Sequence, residues 1–164
     1  MGISDDQIEQ LVQLCLRAYT PAETSVKNMV GGDLSLLDGF FRASIRAGTM
    51  GGGVYVATEE SDHNIIRGMA LWDDQQRELH AFISKLSPEA QEWHRKTYVP
   101  EFANLTEKLL GPRGKIDSWR AGSSKLNVAA TNELNVGIYR RLGFQVKGSM
   151  LVDDFPVFVL SNEE

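Results

Sequence analysis

The sequence has little of what metal-binding and disulfide-stabilised proteins require. It contains a single cysteine, Cys15, in 164 residues, which excludes an intramolecular disulfide and a cysteine-based metal framework. Its three histidines, His63, His80 and His94, are 17 and 14 residues apart, and this is not a metal-ligand spacing. We therefore predict no metal site, place the histidines at the surface, and assign Cys15 to the buried face of a helix.

Long apolar runs and clustered positive charge are also missing. No run of about 18 apolar residues could span a bilayer, and Asp5, Asp6 and Glu9 stand where a signal peptide would carry its apolar segment. The formal net charge is -5 and there is no basic tail, which argues against a dedicated nucleic-acid-binding protein. We expect a soluble protein of the cytoplasm, with neither nucleic acid nor membrane as a partner.

What is present is typical of one globular domain. The chain is 42% hydrophobic and 24% charged, and its length is enough to bury a core, so we predict a single domain over residues 1–164. Ser4 and Gln7 have the spacing of a capping box at the start of a first helix. Residues 22–32 are typical of a loop. A second helix is predicted from Leu34 to Ala47, followed by a break at Gly48.

The middle of the chain has further helix signals. Ser87 followed by Pro88 predicts a helix start, and this helix should run to about Tyr98. Pro100 should interrupt it, and the helical pattern resumes over Glu101–Leu110.

Strand signals lie on either side of these helices. Val54–Ala57 and Ile65–Trp72 predict a hairpin, with Gly68 at a bulge or a close approach of two backbones. The remaining predicted strands are Ile116–Trp119, Lys125–Ala130, Gln145–Val152 and Val157–Leu160. Helices and strands in this order predict an α/β (α+β) domain with a sheet of five to seven strands.

The most informative segment runs from Leu126 to Phe144. A short strand is followed by Asn132, then by a helix that carries Tyr139 and closes at Gly143. Asn132 is favoured as a helix N-cap, and Gly143 suits the position after a helix, where a positive φ is required. Tyr139 lies at helical spacing from Val136 and could equally be a core aromatic.

This segment resembles the carboxyl-terminal half of the GCN5-related N-acetyltransferase (GNAT) family, and the hairpin over residues 54–72 is similar to the family's central strands. The resemblance implies a mixed, mostly antiparallel sheet flanked by helices, with acetyl-CoA as co-substrate and an amine of a small molecule or a protein as acceptor. It implies that Asn132 contacts the pantetheine or phosphate part of the coenzyme. It also implies that the Tyr139 hydroxyl faces the departing thiolate.

Two further sets of side chains are candidates for contact with the acceptor. Asp73 and Asp74 follow the apolar end of the hairpin, where a carboxylate could bind a cationic amine or act as a base; a solvated loop is the alternative. Trp93 and Tyr98 could line a substrate pocket, with core packing as the alternative.

One part of the family pattern is missing. In the family, a strand ends in a glycine-rich loop that opens a helix, and the loop amides bind the coenzyme diphosphate. Here only the five residues Arg120–Ser124 separate Trp119 from Lys125, whereas a crossover between parallel strands needs about a dozen residues. We therefore predict a deletion near residues 119–125 that shortens one strand-helix unit.

The function predicted from the resemblance is acetyl transfer to an amine, with impaired activity. Two alternatives remain open: a non-catalytic remnant or partner-binding domain of the same fold, and a homodimer that supplies the absent helix in trans.

Overall fold

A computed structural model describes residues 3–19, 23–50, 53–62, 64–72, 76–111 and 126–162. The chain divides into two compact units, Met1–Gln91 and Glu92–Glu164. The helices are α1 (Asp5–Ala18), α2 (Thr24–Met29), α3 (Leu37–Met50), α4 (Gln76–Ile83), α5 (Pro88–Trp93), α6 (Val99–Leu110) and α7 (Glu133–Arg141). The strands are β1 (Gly53–Thr58), β2 (Ile66–Trp72), β3 (Asn127–Ala130), β4 (Gln145–Val152) and β5 (Phe155–Ser161).

Helix α1 begins as the sequence predicts. The Gln7 amide donates to Ser4 Oγ at 3.2 Å, and the Ser4 amide donates to Gln7 Oε1 at 3.0 Å, which completes the capping box. Its buried face meets Ile45 of α3, and Val54 of the hairpin packs on the same cluster. Cys15 is buried, as predicted, and burial raises the pKa of its thiol to about 11, so the thiol is inert at neutral pH.

Two predictions for the next segment are wrong. Residues 24–29, expected in a loop, form α2, because Val26 is buried in the core cluster that contains Phe41. Gly48 does not break the chain, since α3 continues to Met50. A Cβ at Gly48 would overlap the Leu71 side chain, so the glycine allows the backbone of α3 to approach the hairpin closely.

The hairpin prediction is confirmed. β1 pairs antiparallel with β2 from Gly53 opposite Trp72 to Thr58 opposite Ile66. The register shifts beside Gly68, because Ala57 faces Gly68 while Thr58 faces Ile66, so the strand bulges where it was predicted to.

Helix α4 was not predicted, whereas the helix that starts after Ser87 was. The Ala90 amide donates to Ser87 Oγ at 3.3 Å, which confirms the cap of α5. At Pro100 the chain stays helical: a π-helical turn, His94–Tyr98, joins α5 to α6. Proline has no N–H to donate to the carbonyl four residues earlier. The π-helical turn before it, which is wider than an α-helical turn, accommodates the missing hydrogen bond.

The second unit is built on a three-stranded antiparallel sheet. The strand order is β3-β5-β4, with Ala130 opposite Phe158 and Val152 opposite Phe155. The final turn is shorter than the gap between the two predicted strands, because Phe155 and Pro156, which lie in that gap, belong to β5. Only Asp153 and Asp154 make the turn, and Asp153 adopts a φ of 50°.

Helices cover both faces of this sheet. Leu160 of β5 packs with Val136 of α7 on one face, and Val157 packs with Phe102 of α6 on the other. A strand that is buried on both faces carries a continuous apolar run instead of an alternating pattern, and β5 does so. Gly148 of β4 faces α6, where a Cβ would lie 2.8 Å from the Leu109 side chain.

The fold class is therefore as predicted, a mixed α/β protein with antiparallel sheets flanked by helices. The described strands number five, but they form a two-stranded and a three-stranded sheet instead of the single larger sheet expected. Within the described residues, no helix is both long enough and apolar enough to cross a membrane. The single-domain expectation and the strand expected at residues 116–119, which lies outside the described residues, stay predictions.

Candidate functional site

Asn132 caps helix α7. It lies two residues after the end of β3 and has an extended backbone, and its Oδ1 accepts a hydrogen bond from the Asn135 amide at 2.8 Å. One of the four amides that a helix start leaves without a helical partner is satisfied in this way. The N-cap interpretation of Asn132 is thus confirmed, and the cap fixes the side chain at the junction of β3 and α7.

The end of α7 is a Schellman motif. The Phe144 amide donates to the Tyr139 carbonyl at 3.0 Å, and the Gly143 amide donates to the Arg140 carbonyl at 3.1 Å. Gly143 has a φ of 91°, a left-handed conformation that glycine adopts without steric cost. The predicted role of Gly143 is confirmed, and Phe144 is placed beside the helix that it follows.

Tyr139 lies half-buried on the sheet side of α7. Its ring makes an edge-on contact with Phe144, with 5.7 Å between the ring centroids, and packs on the cluster formed by Ala130, Val136 and Leu160. Burial raises the pKa of the Tyr139 hydroxyl, because the phenolate would lose solvation. The hydroxyl is therefore a protonated hydrogen-bond donor at neutral pH, and the ring is also part of the core.

Asn132 and Tyr139 share one helix and one side of it. They are seven residues apart, close to two turns of an α-helix, so about 10 Å of helix axis separates them. An amide and a phenol at this separation could contact two points along an extended ligand such as the pantetheine arm. The geometry brings together the two candidates that the sequence named on this element.

The same helix start is poorly suited to a diphosphate. Glu133 occupies the first turn of α7 and is exposed, so a carboxylate stands where the helix dipole would otherwise attract an anion. This helix start is therefore not a favourable site for a bound anion.

The remaining candidates lie outside the described residues. Asp73 and Asp74, predicted to contact the acceptor amine, are among them, and so are residues 119–125, where the deletion is predicted. His63 also lies there. These predictions stay as the sequence made them. No group of three or more potential metal ligands occurs among the residues that the structure describes.

One histidine prediction is wrong. His80 stays exposed as expected, while His94 is only 4% exposed. Its ring lies edge-on to Trp93 and Tyr98, at centroid distances of 5.0 and 6.0 Å. The sequence feature that could have indicated this burial is a single histidine close to two aromatic residues.

The core-packing alternative for Trp93 and Tyr98 is confirmed. Tyr98 stacks between Trp93 and Phe102, at centroid distances of 5.4 and 5.9 Å, and all three pack on the sheet. Burial raises the pKa of the Tyr98 hydroxyl to about 12. Trp93 Nε1–H also donates to Asp153 Oδ2, which holds the turn between β4 and β5.

An exposed apolar face of α7 was missed. Leu134, Ile138 and Leu142 are spaced by four residues and form one stripe, which is called the α7 stripe below. The four-residue spacing was visible in the sequence, but no exposed face was predicted from it.

A search of protein-family models finds no match to this sequence, and a search of curated proteins finds none either.

Proposed function

We propose that this chain is an N-acetyltransferase-like domain that retains the thiol-facing part of an acetyl-CoA site and has lost its diphosphate-binding part. The observation that carries the proposal is the position of Tyr139, protonated and half-buried on α7, two turns after Asn132, the N-cap of this helix. The Schellman motif at Gly143 fixes the helix end beside which Tyr139 lies.

The reaction is acetyl transfer to an amine of a small molecule. The acceptor nitrogen attacks the thioester carbonyl carbon, a C–N bond forms, the C–S bond breaks, and the thiolate leaves. The Tyr139 hydroxyl donates a hydrogen bond, and transiently a proton, to that sulfur and regains a proton from water. The attacking nitrogen loses its extra proton to water or to a carboxylate such as Asp73 or Asp74 as the amide forms. A phenol whose pKa burial has raised is a weak acid, so its main contribution is to position and stabilise charge.

Activity is impaired because the coenzyme diphosphate lacks a site. The five residues Arg120–Ser124 are too few for a loop and a crossover helix, and Glu133 disfavours an anion at the start of α7. The coenzyme would then bind mainly through its pantetheine and acetyl portions, with low affinity.

Calorimetric titration with two ligands tests this proposal. Acetyl-CoA and S-acetylpantetheine carry the same thioester, but only the first carries the diphosphate. We expect both to bind weakly, with dissociation constants within about threefold of each other, because an unused diphosphate adds no affinity. A preference of about 100-fold or more for acetyl-CoA would contradict the loss of the diphosphate site.

A turnover assay separates the proposal from its alternative, a non-catalytic or partner-binding domain of the same fold. That alternative is favoured by the exposed α7 stripe, which nothing in acetyl transfer requires. Slow acetylation of amines from a small panel, reduced in the variant Tyr139→Phe, supports the enzyme. No binding of either thioester at millimolar concentration, together with no turnover, leaves the alternative.

We place the protein in the cytoplasm as part of the same proposal. Its one cysteine cannot form an intramolecular disulfide, and acetyl-CoA is an intracellular metabolite. Fractionation of cells that express the tagged full chain checks this, and recovery only in secreted or membrane fractions would contradict it.

A further inference from the structure

We draw no further inference here: the strongest candidate, the exposed apolar α7 stripe of Leu134, Ile138 and Leu142, carries none, because nothing in the described part of the structure shows what covers it.

Discussion

Tyr139 and Phe144 are joined both through their backbones and through their rings. The Phe144 amide donates to the Tyr139 carbonyl at 3.0 Å, and the two rings meet edge-on with 5.7 Å between centroids. The left-handed turn at Gly143 makes both contacts possible, because it reverses the chain within two residues. The position of the candidate catalytic hydroxyl thus depends on the conformation of a glycine.

Gly143→Ala should lower the free energy of unfolding by about 1–2 kcal/mol, since an alanine pays a steric penalty at a φ of 91°. Gly137→Ala, in the middle of the same helix with open space around its Cβ, should raise the free energy of unfolding by about 0.5–1 kcal/mol. Urea denaturation measures both at a concentration where the protein is monomeric. Equal effects of the two substitutions would exclude the steric account of Gly143.

Asn132→Ala should lower the free energy of unfolding by about 1 kcal/mol, because the Asn135 amide loses its acceptor. Asn132→Ser is the matched control, since serine also caps helices, and it should restore most of the stability. The same two variants examine the proposed coenzyme contact by titration with S-acetylpantetheine. If Asn132→Ser binds the thioester as tightly as the wild type, Asn132 acts only as a cap.

Tyr139→Phe should leave the fold intact, because the ring keeps its contacts with Phe144 and Leu160. We expect turnover to fall by about 10- to 100-fold with little change in thioester affinity, as for the loss of a hydrogen bond made mainly in the transition state. Steady-state kinetics with near-ultraviolet circular dichroism as a fold check measures this. Unchanged turnover would assign Tyr139 to the core alone.

Tyr98 should make the protein sensitive to alkali. Its pKa is raised to about 12 by burial, whereas an unfolded tyrosine ionises near pH ~10. Between these values the unfolded chain releases its proton first, so the free energy of unfolding is at its full value below pH ~10 and falls as pH rises towards ~12.

Denaturation of Tyr98→Phe at a series of pH values checks this prediction. The variant should lose less stability than the wild type across that window, because phenylalanine has no proton to release. Cys15, whose pKa is also raised by burial, contributes a fall of the same sign in both proteins and so cancels in the comparison. Parallel pH profiles of the two proteins would contradict the assignment to Tyr98.

Local signals in the sequence were reliable where one residue satisfies a neighbouring backbone group. The capping box of Ser4, the cap at Asn132 and the turn at Gly143 were all predicted, because each depends on contacts within a few residues. Predictions failed where the local structure depends on contacts between residues that are far apart in the sequence. Gly48 was predicted to break the chain, but it lies inside α3, where it allows a close approach to Leu71. His94 was predicted at the surface, but it is buried beside the rings of Trp93 and Tyr98.

The sequence by itself determined the mixed fold class, the hairpin at residues 54–72 and the strand-cap-helix segment that carries Asn132 and Tyr139. The reason is that periodicity and capping depend on residues that are close in the sequence. Only the tertiary structure decided that the described strands divide into two sheets and that β5 is buried on both faces. It also decided that α7 turns one apolar side to its sheet and the other outward. The physical reason is that the hydrophobic effect is not directional: an apolar side chain favours burial, but it does not specify which surface will cover it.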